Sequence, residues 1–286
     1  MSERLFPATA IVAGASSLVG RHLLPRLRAA GLSVIAFSRS EQPSEPGVVW
    51  RVHDIDQGWP PDLLLDGAIY VHLAPLWKLD ALLGDPRSQR LGRIVAFSST
   101  SVLSKAHSPD PAEQRLVSLL ADSESRLQHS GLPFTVIRPT LIYGAGRDKN
   151  VAQIARLIRR IGFFPLIGEG RGLRQPVHAD DLAAAVVAIS ARPATLGQVY
   201  ELSGGETLSY REMVRRISLA VGKSPRILQV HPALFALALR MARVLPRFRH
   251  LNMEMVWRMN ENLVFSHQLA SQAFGYLPRP FTEPLS

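Results

Sequence analysis

The sequence predicts an α/β protein built on a doubly wound parallel sheet, with a smaller mixed lobe in its second half. Three observations carry this. Short apolar, partly β-branched runs recur through the first half and alternate with helical segments, as strands covered on both faces require. The first run, Thr9–Ala13, passes into Gly14-Ala-Ser-Ser-Leu-Val-Gly20 and then a helix. Hydrophobic residues make up 47% of 286, enough for a large core.

In the first unit, Gly14 lets the chain turn where a side chain would clash. Ser16 and Ser17 offer oxygens to the free N–H groups of the first helical turn, and Gly20 lets helix and strand approach closely. Such a turn aims backbone N–H groups and the positive end of a helix at a phosphate. The spacing is Gly14-x-x-Ser17-x-x-Gly20, with serine where a G-x-x-G-x-x-G loop has its middle glycine. Alone, the segment also fits an ordinary strand–turn–helix start. The helix is expected over residues 18–30, stopped by Gly31.

Leu32–Phe37 is the second strand and ends in Ser38-Arg39-Ser40. In a dinucleotide fold this strand end meets the adenosine ribose, where an acid suits the 2′-hydroxyl of NAD and an arginine the 2′-phosphate of NADP. Arg39 stands there without an acid, so NADP(H) is favoured over NAD(H); the competing reading is a solvent-facing arginine. Val48–His53 is a third strand running into Asp54-Ile55-Asp56. There Asp54 either meets the adenine amino group or begins a turn before Gly58. Ala68–Ala74 is the fourth strand, followed by Pro75 and a short helical stretch, Leu76–Leu83.

Arg93–Ser99 is the fifth strand and ends in Ser98-Ser99-Thr100-Ser101. Polar residues at the carboxyl end of a central parallel strand sit at the ligand crevice. Pro111–Ser130 is a helix with Leu116, Leu119, Leu120 and Leu127 on one side, ended by Gly131. Pro133–Pro139 is the sixth strand, leading to Thr140-Leu-Ile-Tyr143-Gly144. Beyond it come a basic amphipathic helix (Val151–Arg160), a loop with a short extended piece to Gly170, and a strand (Arg174–His178). A helix capped by Asp180 or Asp181 then runs to Ala191, followed by a strand (Gln198–Ser203) and a helix (Ser209–Val221). Residues 1–143 are expected to form a dinucleotide-binding domain, to which 178–203 return. Residues 144–177 and 204–286 are expected to form the lobe.

With no cysteine, disulfides and thiolate metal sites are excluded, and no metal is expected. The N-terminus has no basic segment leading into a long apolar run, so no signal peptide is read and a cytoplasmic location is expected. The net charge is +10, with 29 arginines against 4 lysines. That balance suits anionic ligands such as dinucleotides and sugar nucleotides, or an anionic membrane surface, or is a plain bias towards arginine. Zinc-finger spacing, basic runs and aromatic–basic interleaving are all missing, so nucleic acid is not an expected partner. Residues 232–245 form an apolar helix between prolines, too short and too arginine-rich to span a membrane. With Arg247, Arg249 and His250, the stretch 232–250 suits a membrane surface, its own domain, or the second subunit of a homodimer.

Taken together, these residues resemble the extended and atypical short-chain dehydrogenase/reductases, the NAD(P)-dependent sugar-nucleotide epimerases and dehydratases. The resemblance covers nearly the whole chain. It rests on Gly14-x-x-Ser17-x-x-Gly20, Asp54, His72-Leu-Ala74, Phe97-Ser-Ser-Thr-Ser-Val102, Arg138-Pro-Thr-Leu-Ile-Tyr-Gly144, Arg174-Gln-Pro-Val-His-Ala-Asp-Asp181 and Tyr200-Glu-Leu-Ser-Gly-Gly205.

The resemblance implies a Rossmann fold and a role for each matched position. Gly14, Ser16, Ser17, Leu18 and Gly20 would line the pyrophosphate loop, Arg39 would hold the 2′-phosphate and Asp54 the adenine. Leu73 and Ala74 would flank the adenine ribose. Ser98, Arg138 and Pro139 would sit near the nicotinamide, with Ser99 at the family's catalytic serine. Thr100, Arg174 and His178 would face the substrate, Arg174 through its phosphates.

The family's catalytic tyrosine, with lysine four residues on, has no counterpart: no tyrosine here has a lysine at that spacing. If Glu124 matches the glutamate that often follows the pair, Leu116 and Leu120 occupy the two positions. Tyr143, with Arg147 four residues later, is the candidate proton donor, and His107 and His178 are further candidates. The function so implied is an oxidoreductase or epimerase acting on a nucleotide sugar or a small carbonyl or hydroxyl compound. The alternative is a non-catalytic NADP(H)-binding sensor or complex subunit.

Overall fold

The computed structural model describes residues 9–146, 148, 150–235 and 259–282. Arg147 and most of the 232–250 stretch lie outside these described residues. In chain order the strands are β1 Thr9–Ala13, β2 Ser33–Ser38, β3 Val48–Val52, β4 Ile69–His72, β5 Arg93–Phe97, β6 Phe134–Pro139 and β7 Ile142–Tyr143. They continue with β8 Phe164–Ile167, β9 Leu173–Arg174, β10 Val177–His178, β11 Gln198–Leu202, β12 Leu208–Ser209 and β13 Ile227–Val230. The helices are α1 Leu18–Ala29, α2 Asp80–Leu83, α3 Ser101–Ser104, α4 Pro111–His129, α5 Val151–Ile161, α6 Ala179–Ser190, α7 Tyr210–Ala220 and α8 Gln268–Phe274.

Two compact units share these elements. Unit 1 comprises Met1–Thr140, Ala179–Leu202 and Ser266–Pro278; unit 2 comprises Leu141–His178, Ser203–Phe265 and Arg279–Ser286. Unit 1 is built on a seven-stranded sheet in the order β11-β6-β5-β4-β1-β2-β3, parallel throughout. Strands β4 and β5 are buried along their whole length and β1 from Ala10 on, which is why they are written as mainly apolar runs rather than alternating ones. Strand order reverses between β1 and β4. In sheets of this kind, the carboxyl ends at such a reversal leave a crevice.

One face of the sheet presents Ile11, Ala13, Tyr70, Ile94, Ala96, Phe134 and Val136 to Leu120 and Leu127 of α4 and to Leu76, Leu79 and Leu82. The alternate residues Val12, Val71, Val95 and Ile137 are equally buried. Helices α1 and α6 pack together, joined by a 2.7 Å hydrogen bond from Arg26 Nε to Asp180 Oδ1. Arg93, the first residue of β5, is buried. It donates to Thr195 Oγ1 and the Arg192 carbonyl, both at 2.9 Å, and to the Ile189 carbonyl, closing the carboxyl end of α6.

Two local expectations are corrected. Leu76–Leu83 is a 3₁₀ turn over Leu76–Leu79 followed by the one-turn α2, because Pro75 and two buried leucines set the local path more strongly than helical spacing. Residues 204–286 do not all belong to the lobe. Ser266–Pro278 joins unit 1, where Phe274 packs edge-on against Tyr200 of β11. The short extended piece expected after Gly162 is β8, paired in parallel with β13 from Phe164↔Ile227 to Ile167↔Val230. In unit 2, α5 packs on α7 around Ile154, Ile158, Met213, Val214 and Ile217.

Candidate nucleotide-binding site

The switch point is lined by the turn after β1 and the segment after β4. Gly14 has φ +71°, and a Cβ there would stand 2.9 Å from the Ala74 nitrogen and from the Leu73 carbonyl carbon. The two segments are also joined by the Leu73 N–H to the Ala13 carbonyl at 2.9 Å. A Cβ on Gly20 would stand 2.1 Å from the Ala15 carbonyl oxygen, so only glycine lets α1 start this close to the turn. Ser17 is the N-cap of α1: its Oγ accepts from the Gly20 N–H at 3.1 Å. The serine that replaces a glycine in this loop is therefore a working cap. Among the described residues, nothing accepts from the N–H groups of Leu18 and Val19, and Ser16 is exposed beside them. The loop thus keeps donors and the positive end of a helix available to an anion.

Arg39 follows β2 directly, is exposed, and makes no ion pair among the described residues. Its neighbours are bound to one another: Ser38 Oγ accepts from the Ser40 N–H at 3.3 Å and from Gln42 Nε2 at 3.2 Å. Asp54 caps the 3₁₀ turn Ile55–Gln57 by accepting from the Asp56 N–H at 3.2 Å, and its carboxylate lies 3.9 Å from Lys78 Nζ. Asp54 thus begins the turn while its carboxylate stays accessible.

At the carboxyl ends of β5 and β6 lies a half-buried charged network. Glu124, on α4 and nearly inaccessible, accepts from the Ser98 hydroxyl and from both Nε (3.0 Å) and a terminal nitrogen of Arg138. Arg138 also donates to Glu201 on β11 at 3.2 Å. The bonds to Glu124 and Glu201 hold the guanidinium charged, raising its pKa against the cost of burial. Ser98 and Arg138 are therefore committed to tying strands to α4, a use the sequence reading did not assign to them. Ser99 keeps a half-buried hydroxyl that donates to Ser101 Oγ at 3.0 Å and accepts from the Ser101 N–H. Thr100 is corrected: it is buried and its hydroxyl donates to the carbonyl of Pro139, so it faces inward and not a substrate.

The candidate acid–base residues fare differently. Leu120 is buried in the α4–sheet core and Leu116 packs at its edge, so neither position offers a titrating group. Tyr143, the candidate proton donor, is enclosed. It is fully buried in unit 2, edge-on to His178 and Phe281, with its hydroxyl 3.4 Å from the Thr282 carbonyl. An apolar shell of β7, β10 and the C-terminal segment encloses it. Its companion Arg147 lies outside the described residues. His178 is half-buried against Tyr143 and Gly144, and His107 is exposed after α3.

Arg174 lies among backbone carbonyls of unit 2. It is 5% exposed, donates to the Leu173 carbonyl at 2.7 Å and the Glu261 carbonyl at 2.6 Å, and stacks over the Tyr210 ring. A planar fork with several donors suits this stitching of backbone as well as it suits a phosphate.

Two buried titratable groups escaped the sequence reading. Tyr70 and His72 project from the same face of β4 and are wholly inaccessible. Tyr70 Oη lies 3.0 Å from His72 Nδ1, and His72 Nε2 lies 3.0 Å from the Pro75 carbonyl. The carbonyl only accepts, so Nε2 carries the hydrogen and Tyr70 donates to Nδ1. Burial lowers the His72 pKa to about 4, with the Pro75 bond and Asp80 opposing; burial raises that of Tyr70. The i, i+2 spacing of two polar rings in a buried strand was the available signal. For Glu124 the signal was a carboxylate between Leu120 and Leu127, on the apolar side of α4.

Fold, glycine-turn cradle and switch-point placement define a doubly wound α/β protein of the class whose switch points bind nucleotides. Comparison with known proteins narrows this. The NAD dependent epimerase/dehydratase family matches residues 112–203. Over 116 residues the chain is 31% identical to UDP-glucose 4-epimerase of Vibrio cholerae, a match covering 41% of this chain but only 33% of that enzyme. Over 256 residues it is 26% identical to 2-alkyl-3-oxoalkanoate reductase of Stenotrophomonas maltophilia, covering 76% of each. The solved structure of UDP-glucuronic acid 4-epimerase from Bacillus cereus in complex with NAD superposes with a TM-score of 0.71, covering 94% of this chain and 93% of that one, and at 17% identity the likeness is one of fold. The likeness to the NAD-dependent epimerase/dehydratase family thus lies in residues 112–203, about a third of the chain.

Proposed function

We propose that the chain binds NADP(H) in unit 1 and acts as an oxidoreductase or epimerase on a nucleotide sugar or a small carbonyl or hydroxyl compound, using an acid–base arrangement other than a tyrosine–lysine pair. The observation that carries this reading is the switch-point cradle: Gly14 closed on Leu73 and Ala74, Gly20 closed on Ala15, and Ser17 capping α1. Gly14, Ser16, Ser17, Leu18 and Gly20 hold the pyrophosphate in this reading. Arg39 holds the 2′-phosphate, Asp54 meets the adenine edge, and Leu73 and Ala74 wall the ribose. The bound nicotinamide supplies hydride chemistry. The chain's own contribution at that end is Ser99, whose hydroxyl holds the reacting oxygen, while Ser98, Arg138 and Glu124 fix the strand ends around it, with Pro139 beside them. The substrate class follows the relatives named as a nucleotide-sugar epimerase and an oxoalkanoate reductase.

A second reading, a non-catalytic NADP(H)-binding sensor or complex subunit, is favoured by one specific feature. Leu116 and Leu120 stand where proton transfer would need a phenol and an amine, and Tyr143 is buried.

The deciding experiment is calorimetric titration with NADPH and with NADH, followed by turnover assays with nucleotide sugars and small carbonyls. Micromolar NADPH binding with weaker NADH, plus turnover reduced by Ser99→Ala, supports the first reading. Binding without any turnover supports the second, and no binding of either dinucleotide refutes both.

A further inference from the structure

One end of unit 2 carries cations and exposed aliphatic side chains together. Two helix-to-strand connections meet there. Helix α5 ends at Ile161 and turns through the left-handed Gly162 into β8; α7 ends at Ala220 and turns through Gly222 into β13. Since β8 and β13 run parallel, with Phe164 opposite Ile227 and the Phe164 N–H on the Arg226 carbonyl at 2.9 Å, both helix carboxyl ends and both strand starts lie at the same pole. The two helices also pack on each other.

The pole displays Arg159, Arg160, Lys223 and Arg226, all exposed. Arg160, Lys223 and Arg226 make no ion pair among the described residues. Between them stand Ile161, 41% exposed, and Leu219, 51% exposed, with Phe163 half-buried beside them. No carboxylate occurs anywhere in residues 151–168 or 213–230, the two stretches that build the pole.

Helix dipoles favour cations at a carboxyl end, which accounts for Arg159 and Arg160. They account neither for Lys223 and Arg226, which lie past α7, nor for aliphatic side chains left in water among the charges. Cations ringing exposed aliphatics match one kind of surface: anionic headgroups above an apolar phase. A nucleic acid offers phosphates but no apolar phase to receive Ile161 and Leu219.

We propose that this pole of unit 2 docks on an anionic lipid surface, with Arg159, Arg160, Lys223 and Arg226 among the headgroups and Ile161 and Leu219 at the acyl boundary. None of these residues belongs to the stretch 232–250, and docking here does not depend on how the dinucleotide site is used.

The test is co-sedimentation of the full chain with vesicles of phosphatidylcholine alone and with about a third phosphatidylserine, at about 0.1 M salt and again at about 0.5 M. Preferential binding to the anionic vesicles, weakened at the higher salt, is expected. Arg160→Gln with Arg226→Gln should lower the partition coefficient roughly 25-fold, at about fivefold per cation. Ile161→Gln with Leu219→Gln should lower it about tenfold without changing the salt dependence. All four residues are exposed, so unchanged melting temperature and unchanged NADPH titration identify folded variants.

Equal binding to both vesicle types, or a partition that ignores both double variants, overturns the proposal. So does loss of binding on replacing Arg240, Arg243, Arg247 and Arg249 by glutamine while the pole variants bind normally. If the pole cations bind duplex DNA or RNA and vesicles are ignored, nucleic acid is the partner and the lipid assignment fails.

Discussion

His72 makes the acid sensitivity of this fold calculable. Its ring nitrogens meet the Tyr70 hydroxyl and the Pro75 carbonyl, and burial lowers its pKa to about 4, with the Pro75 bond and Asp80 opposing. In the unfolded chain the same imidazole titrates near its ordinary value of 6.5. Because the folded pKa is the lower one, the unfolded state takes up the proton first as pH falls. Stability is therefore intact above pH 6.5, declines through the interval from there to about 4, and levels off below it. The difference of about 2.5 pH units at 1.36 kcal/mol each corresponds to a loss of about 3 kcal/mol between pH 7 and pH 4. The structural reason is plain: a second proton on the ring leaves the Tyr70 hydroxyl with no acceptor in a dry site. The assay is urea unfolding at a series of pH values for the natural chain and for His72→Gln, whose amide nitrogen can still meet the Pro75 carbonyl but does not titrate. Other groups contribute equally to both proteins, so the difference between the two curves isolates His72. The gap should close by about 3 kcal/mol from pH 7 to pH 4. Parallel curves would refute the reasoning, since they would mean that His72 takes up its proton equally readily in both states.

Further outcomes follow from the same contacts. Arg39→Asp should weaken NADPH by about 10- to 100-fold, the worth of a charge-assisted phosphate bond, and leave NADH within about threefold; calorimetry reads both. Gly20→Ala should cost about 1–3 kcal/mol in denaturant unfolding, because its Cβ has no room against the Ala15 backbone, and should weaken NADPH in parallel. Glu124→Leu should cost about 3–5 kcal/mol, by leaving Arg138 half-buried with only Glu201, and adding Arg138→Leu should recover part of that loss in a double-mutant cycle. Arg93→Met should cost about 3 kcal/mol, by removing the charged donor that the Ile189 and Arg192 carbonyls share with Thr195, with hydrogen exchange rising at the carboxyl end of α6.

The parallel sheet was legible because its inner strands are buried on both faces and so are written as mainly apolar runs. The runs at Ile69–His72 and Arg93–Phe97 could be little else. The cradle was legible because its glycines are required by hard contacts: Gly14 against Ala74, Gly20 against Ala15. Polar side chains were less legible, since their type does not say which way they face. Arg174 carries the same guanidinium whether it meets a phosphate or the Glu261 carbonyl, and Thr100 the same hydroxyl whether it meets a substrate or Pro139. Strand β13 has no periodic signal in four residues, and it exists because β8 offers it an edge. Ser266–Pro278 returns to unit 1 through aromatic contacts between residues far apart in sequence, Phe274 with Tyr200, which no local pattern records.

Binding and chemistry rest on different kinds of constraint in this protein, and that separates what can be lost from what cannot. The cradle depends on backbone geometry, and any side chain at Gly14 or Gly20 collides with main chain, so the fold itself enforces the site. A phenol and an amine one turn apart on α4 are enforced by nothing in the fold. Leucines at 116 and 120 extend the apolar face that already holds Leu127 and leave no polar atom unsatisfied. Glu124 lies at the other extreme. It is buried beside Ser98 and Arg138, and deleting it alone would strand a guanidinium, so packing retains it with or without catalysis. The Ser98, Glu124 and Arg138 positions are thus weak witnesses to turnover, although they belong to the family pattern. The informative positions are the ones the fold does not need: Arg39, exposed and without an ion pair among the described residues, and Ser99, whose hydroxyl is bound only within its own turn. A protein that binds NADPH tightly through Arg39 and yet shows no change in any turnover on Ser99→Ala has kept the cofactor for a purpose other than hydride transfer.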